Sequence, residues 1–165
     1  MAANKPIVIF SRAVRTGKTT ALQRWTEGRE NIGGILTPDE HGMRKLLDIA
    51  SGKKYDLQAD EHFTGETITI GRFVFNAAVM ERAKQLLHES LNRSPVWLVI
   101  DEVGKLEVEQ HAGLEPAVIQ IIHHYQSGRA EGRLLLVIRD SLLEKAIEKY
   151  GLQNAEVYTS HLPVL

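Results

Sequence analysis

Ile7-Val8-Ile9-Phe10 runs directly into Ser11-Arg12-Ala13-Val14-Arg15-Thr16-Gly17-Lys18-Thr19-Thr20, and Ala21, Leu22 and Trp25 then follow at helical spacing. A short apolar run bounded by polar residues suits a strand buried on both faces of a parallel sheet. Strand, loop and helix start form the context in which Gly-Lys-Thr acts as the second half of a phosphate-binding loop. Backbone N–H groups there curl around a phosphate at the positive end of a helix dipole. In that arrangement Arg15 to Thr20 cradle the phosphates and Lys18 reaches the β- and γ-phosphates. The Thr19 hydroxyl ligates Mg²⁺. The first half of the loop departs from the pattern, because Arg12 stands five positions before Gly17, where Gly or Ala is usual. A Gly-Lys-Thr tripeptide also arises by chance at a helix start, so a second feature is needed.

Val96-Trp97-Leu98-Val99-Ile100-Asp101-Glu102 supplies it: a buried strand that ends in two carboxylates. In phosphate-binding-loop proteins the first acid at such a strand end sits beside the nucleotide-bound Mg²⁺, usually through water, since Mg²⁺ retains several waters. An adjacent glutamate can polarise the water that attacks the γ-phosphate. An acidic loop after a core strand is commonplace on its own. Beside Gly17-Lys18-Thr19 the pair reads as the other half of a nucleotide site.

A third apolar run, Leu134–Ile138, is followed by Arg139. Helical periodicity marks three segments. Val79, Ala83, Leu86, Leu87 and Leu91 form one stripe after Asn76. Leu114, Ala117, Val118, Ile121, Ile122 and Tyr125 form another, with Pro116 early and Gly128 beyond its end. The segment from Ser141 to Tyr150 opens with Ser141 and Glu144 at capping-box spacing and stops at Gly151. Strand–helix–strand order predicts an α/β fold with helices on both faces of a mainly parallel sheet. The stretch 32–75 is rich in Gly and charge and lacks helical periodicity, so it is expected to form short antiparallel strands and hairpins on one edge of that sheet.

The composition closes off other classes. A chain of 165 residues, 43% hydrophobic and 25% charged, is one globular domain spanning residues 1–165. Without cysteine there is no disulfide framework, thiol nucleophile or Cys-based metal site. The seven His lack metal spacing, and His123 and His124 are adjacent on a helix. A formal charge of −1 gives no global attraction to nucleic acid or an anionic membrane. The longest wholly apolar runs fall far short of the roughly 20 residues that span a bilayer. These features predict a cytoplasmic protein, with oligomeric state left open. Trp25 and Trp97 fit core packing, with stacking on a nucleobase as the alternative.

Asp101-Glu102-Val103-Gly104-Lys105-Leu106-Glu107 resembles the DEIGKME-type segment of the small nucleoside triphosphatases known from thermophiles, a family that includes the cancer-related nucleoside triphosphatase. Gly33-Gly34-Ile35-Leu36-Thr37, followed by Gly42-Met43-Arg44 and Asp48-Ile49, is similar to that family's β-rich insert. The resemblance implies a RecA-like P-loop NTPase fold with three layers and Mg²⁺-dependent hydrolysis of ATP, GTP and other nucleoside triphosphates with little base selectivity. By position it makes Lys18 the loop lysine, Thr19 and Asp101 the metal residues, and Glu102 the catalytic glutamate, with Lys105 in an electrostatic role. Where the family carries Gly, Pro and Gly in the loop, this chain has Arg12, Val14 and Arg15. Arg139 has two readings, a sensor of charge developing on the γ-phosphate or a solvated residue at a strand end. Arg12 and Arg15 either contact phosphates as fixed cations or point to solvent, and Lys105 either holds phosphate or pairs with a neighbouring acid. Two other functions share the phosphate chemistry: a nucleotide-binding switch with weak or no hydrolysis, and a small-molecule kinase. A kinase requires an acceptor pocket under a lid, and no Arg-rich lid segment stands out in the sequence.

Overall fold

The computed structural model describes residues 4–13 and 17–164. Its centre is a set of parallel strands whose residues alternate between two buried faces. In β1 (Ile7–Arg12), Ile7 and Ile9 enter one hydrophobic cluster while Val8 and Phe10 enter the other. The same alternation divides β8 (Trp97–Asp101) and β9 (Arg133–Arg139), which is why the sequence shows continuous apolar runs there. One face is covered by α1 (Lys18–Thr26), whose Trp25 meets Trp97 edge-to-face with centroids 5.3 Å apart. Both tryptophans are thus core residues. The other face carries α2 (Ala77–Asn92), α4 (Glu115–Gln126) and α5 (Leu143–Tyr150), with the single turn α3 (Lys105–Val108) between β8 and α4. The result is a three-layer α/β fold. No helix among the described residues is long and apolar enough to cross a membrane.

The strand order is β10-β1-β9-β8-β2-β4-β3, with β10 at Glu156–Tyr158, β2 at Ile32–Leu36, β3 at Asp39–Glu40 and β4 at Met43–Asp48. From β10 to β2 every pairing is parallel. The strand that precedes the phosphate-loop motif and the strand that ends in the acidic pair are therefore separated by one strand, β9, which ends in Arg139. All three deliver their C-terminal ends to the same edge, where ligands of open α/β sheets bind.

The 32–75 stretch needs one correction. Ile32–Leu36 is not an antiparallel edge strand; it pairs in parallel with β8 and is buried along its whole length. Gly33 and Gly34 conceal it, because glycine contributes nothing to a hydrophobic pattern. Gly34 is glycine for a steric reason: its φ is 103°, and a Cβ there would lie 2.0 Å from the Val99 carbonyl oxygen. The antiparallel elaboration begins only after β2, as β3, β4 and β5 (Lys54–Asp56). A separate hairpin of β6 (Thr67–Ile70) and β7 (Phe73–Asn76) then leads into α2.

The helix starts divide in the same fashion. Asn76 caps α2 by accepting from the Ala78 and Val79 N–H groups, and Gly151 ends α5 in the left-handed conformation. The capping box expected at Ser141 and Glu144 does not form. Asp140–Leu142 is a 3₁₀ turn, and α5 starts at Leu143 without a side-chain cap.

Gly34→Ala should therefore destabilise the protein by more than about 3 kcal/mol, since the added methyl meets backbone rather than a movable side chain. Urea unfolding monitored by circular dichroism checks this through the transition midpoint.

Candidate functional site

The phosphate-loop motif and the acidic strand meet at one buried carboxylate. Asp101, the last residue of β8, is only 1% exposed. Its Oδ2 accepts from the Thr19 hydroxyl at 2.9 Å and from the Thr37 N–H at 3.1 Å. Oδ1 is buried with no hydrogen-bond partner among the described residues. Desolvation, reinforced by the neighbouring charge of Glu102, pushes the Asp101 carboxyl up to about 6, against the lowering effect of its two hydrogen bonds. A buried acid with one oxygen unsatisfied and a raised proton affinity is a site prepared for a positive partner.

Gly17 precedes α1 in a left-handed conformation with φ of 80°, and its carbonyl accepts from Ala21 N–H at 2.9 Å. Lys18 is buried, and its ammonium donates to the Ala13 carbonyl at 3.1 Å. Thr19 is half-buried toward Asp101, whereas Thr20 is exposed on the first turn of α1. Arg15 and Thr16, expected in the cradle, lie outside the described residues, as does Val14.

Glu102 follows Asp101 through a cis peptide and is mostly buried. Its Oε1 lies 3.4 Å from an Arg139 guanidinium nitrogen, so the arginine at the end of β9 is engaged with the second acid rather than solvated. The Arg139 Nε is buried and has no partner among the described residues. Arg12 is paired in register with Arg139 at the end of the adjacent β1 and is half-buried. Lys105 is exposed at the start of α3 and forms no ion pair among the described residues. The geometry thus brings together Lys18, Thr19, Asp101, Glu102 and Arg139, with Arg12 beside them and Lys105 at the rim.

Two further residues take part. Thr37 contributes a backbone N–H, which no side-chain pattern reveals. Arg44 on β4 adds a cation near enough to Asp101 to lower its carboxyl somewhat. Glu107 acquires a structural explanation. It is 4% exposed; Oε1 accepts from Gly104 N–H at 2.9 Å, and Oε2 accepts from Leu114 N–H at 3.0 Å. This one side chain ties the start of α3 to the start of α4 and so fixes the loop that follows Glu102.

The profile of the NTPase family matches residues 8–159, nearly the whole chain. The chain belongs to this NTPase family. Membership carries a nucleoside triphosphatase or P-loop nucleotide-binding function. The crystal structure of THEP1 from the hyperthermophile Aquifex aeolicus is similar, with a TM-score of 0.71 at 19% identity, over 94% of this chain and 90% of that one. At that identity the likeness establishes the fold of this NTPase, a P-loop fold with a mostly parallel sheet. No curated protein matches the sequence.

Burial pushes the Glu107 carboxyl up to about 7, with its backbone hydrogen bonds opposing the shift. A raised folded-state value means that ionisation opposes folding. The cost is absent below the unfolded value of 4.5 and complete above about 7. The stability of the wild type relative to Glu107→Gln should therefore fall by roughly 2–3 kcal/mol between pH 4.5 and 7.5. Urea unfolding of both proteins at the two pH values measures that difference. Glu107→Ala, which leaves two buried N–H groups unpaired, should cost about 2–4 kcal/mol at pH 4.5 and correspondingly less at pH 7.5, where the wild type carries the cost of ionising Glu107.

Proposed function

We propose that this protein is a Mg²⁺-dependent nucleoside triphosphatase that hydrolyses ATP, GTP and other nucleoside triphosphates to the diphosphate and phosphate. The observation that carries the reading is the buried, unpartnered Oδ1 of Asp101 beside the Thr19 hydroxyl. Among the described residues no group of three His, Asp or Glu side chains gathers. One carboxylate and one hydroxyl leave most of an octahedral shell to phosphate oxygens and water, the donor set Mg²⁺ prefers. Thr19 would ligate the ion and Asp101 would hold its water. When bound, Mg²⁺ neutralises charge on the β- and γ-phosphates.

The chain's own residues do the rest. Gly17 to Thr20, with Arg15 and Thr16, would present N–H groups to the phosphates at the N-terminus of α1. Lys18 would exchange its contact with the Ala13 carbonyl for the β- and γ-phosphate oxygens. Glu102 would accept a proton from water as the water oxygen bonds to the γ-phosphorus and the bridge to the β-phosphate breaks. Arg139 would hold Glu102 in place and offer positive charge to the phosphoryl group. Low selectivity among bases follows from the resemblance at Asp101–Glu107, since the residues brought together here address phosphate and none addresses a base.

Glu102→Gln should keep nucleotide affinity and lose about 10²–10⁴-fold in turnover, as read by calorimetry and phosphate release. Unchanged hydrolysis would remove Glu102 from the mechanism. Protons compete with the cation for Asp101, so the Mg²⁺ concentration for half-maximal turnover should rise as pH falls through about 6. Asp101→Asn should raise that concentration at every pH and flatten its pH dependence.

A further inference from the structure

Beyond Glu102 lies a half-open cavity of about 450 Å³ that the triphosphatase reading leaves unused. Of the residues placed at the nucleotide site, its lining includes Thr37, Arg44, Glu102, Lys105 and Arg139, and none of Gly17 to Thr20. The floor is apolar, built from core-facing side chains such as Leu46, Leu57, Met80 and Leu106. One wall is the β6–β7 hairpin, which presents Ile70, Phe73 and Phe75. The two phenyl rings stack at a centroid distance of 6.1 Å, yet both remain half-buried, so a wide aromatic surface is left open to the cavity.

The charges around this apolar space are one-sided. Arg44, Arg72, Lys105 and Arg139 line it, against the two carboxylates Glu102 and Glu107. Both carboxylates are already engaged: Glu102 is paired with Arg139, and each Glu107 oxygen accepts a backbone N–H. Arg72, at the tip of the hairpin, stands over the Phe73 ring at 5.1 Å and makes no ion pair among the described residues. Lys105 makes none either. A cavity of this size with an apolar body and unneutralised cations at its rim complements one class of small molecule.

We propose that the cavity is a second ligand site, for an amphipathic organic anion with an aromatic or branched body and a carboxylate, sulfonate or phosphate head. The body packs against Phe73, Phe75, Leu57 and Met80. The head meets Arg72 and Lys105, with Arg44 deeper in the wall. A ligand seated there lies against Glu102 and occupies the approach of water to that carboxylate, so it suppresses hydrolysis without displacing the nucleotide. The binding site stands independently of the hydrolysis reading; only the effect on turnover rests on it.

The probe is 1-anilinonaphthalene-8-sulfonate, an aromatic sulfonate that fluoresces when it enters an apolar site, titrated into the folded, nucleotide-free protein. Wild type and Lys18→Ala should bind one equivalent equally well. Arg72→Glu and Lys105→Glu, both at exposed positions, should each weaken binding roughly threefold to tenfold. Arg29→Glu should leave it unchanged, because Arg29 lines a different cavity of about 470 Å³. Affinity equal in all variants, or lowered only by Arg29→Glu, would overturn the proposal. In the hydrolysis assay the probe should lower kcat for Mg-ATP without raising KM. A raised KM or an unaltered rate at saturating probe would contradict its placement against Glu102. Should the protein not hydrolyse nucleotides, the binding titration still decides on the site.

Discussion

One carboxylate oxygen, Asp101 Oδ2, holds the functional edge of this molecule together. It joins the first turn of α1 through Thr19 and the end of β2 through the Thr37 N–H. Those contacts bring the helix after β1 and the chain leaving β2 onto the end of β8, across a sheet in which β9 separates β1 from β8. Burial makes the arrangement consequential, because a carboxylate shielded from water and left with one free oxygen favours a cation strongly. Glu102 next to it and Arg139 across from it form a second layer of charge on the same edge. Glu107 then fixes the loop behind them through two backbone N–H groups.

What was legible in the sequence follows from which physical constraints leave a pattern. Strands buried on both faces must be apolar at every position, so β1, β8 and β9 appeared as unbroken runs. Amphipathic helices must keep one stripe apolar, so α2 and α4 were visible, and so was the Gly151 stop of α5. The phosphate loop and the acidic strand end demand particular side chains at fixed places, and Gly17-Lys18-Thr19 and Asp101-Glu102 supply them.

The rest is carried by constraints that leave no such trace. β2 reads as part of an antiparallel edge, not as a parallel strand beside β8, because close approach to Val99 requires glycine, which interrupts the apolar run of a buried strand. Thr37 acts through its backbone. Ser141 had the spacing of a cap, but a 3₁₀ turn moved the helix start beyond it. The cavity leaves no pattern because its parts come from β4, β7, α2 and α3, which are distant in sequence, and its cations, Arg44, Arg72, Lys105 and Arg139, are scattered along the chain with no basic cluster. The insert therefore contributes more than an elaborated edge. It lends Arg44 to the surroundings of Asp101 and a phenyl-lined wall to the space beyond Glu102.

In the proposed mechanism Asp101 and Thr19 hold Mg²⁺ for a triphosphate cradled by the loop that contains Lys18. Phosphate release from ATP, GTP, CTP and UTP, with and without Mg²⁺ and beside Lys18→Ala, tests it most directly. Release that requires Mg²⁺, occurs with several of the four nucleotides and disappears in Lys18→Ala is the predicted result. Release that persists without a divalent cation, or that survives in Lys18→Ala, would contradict it.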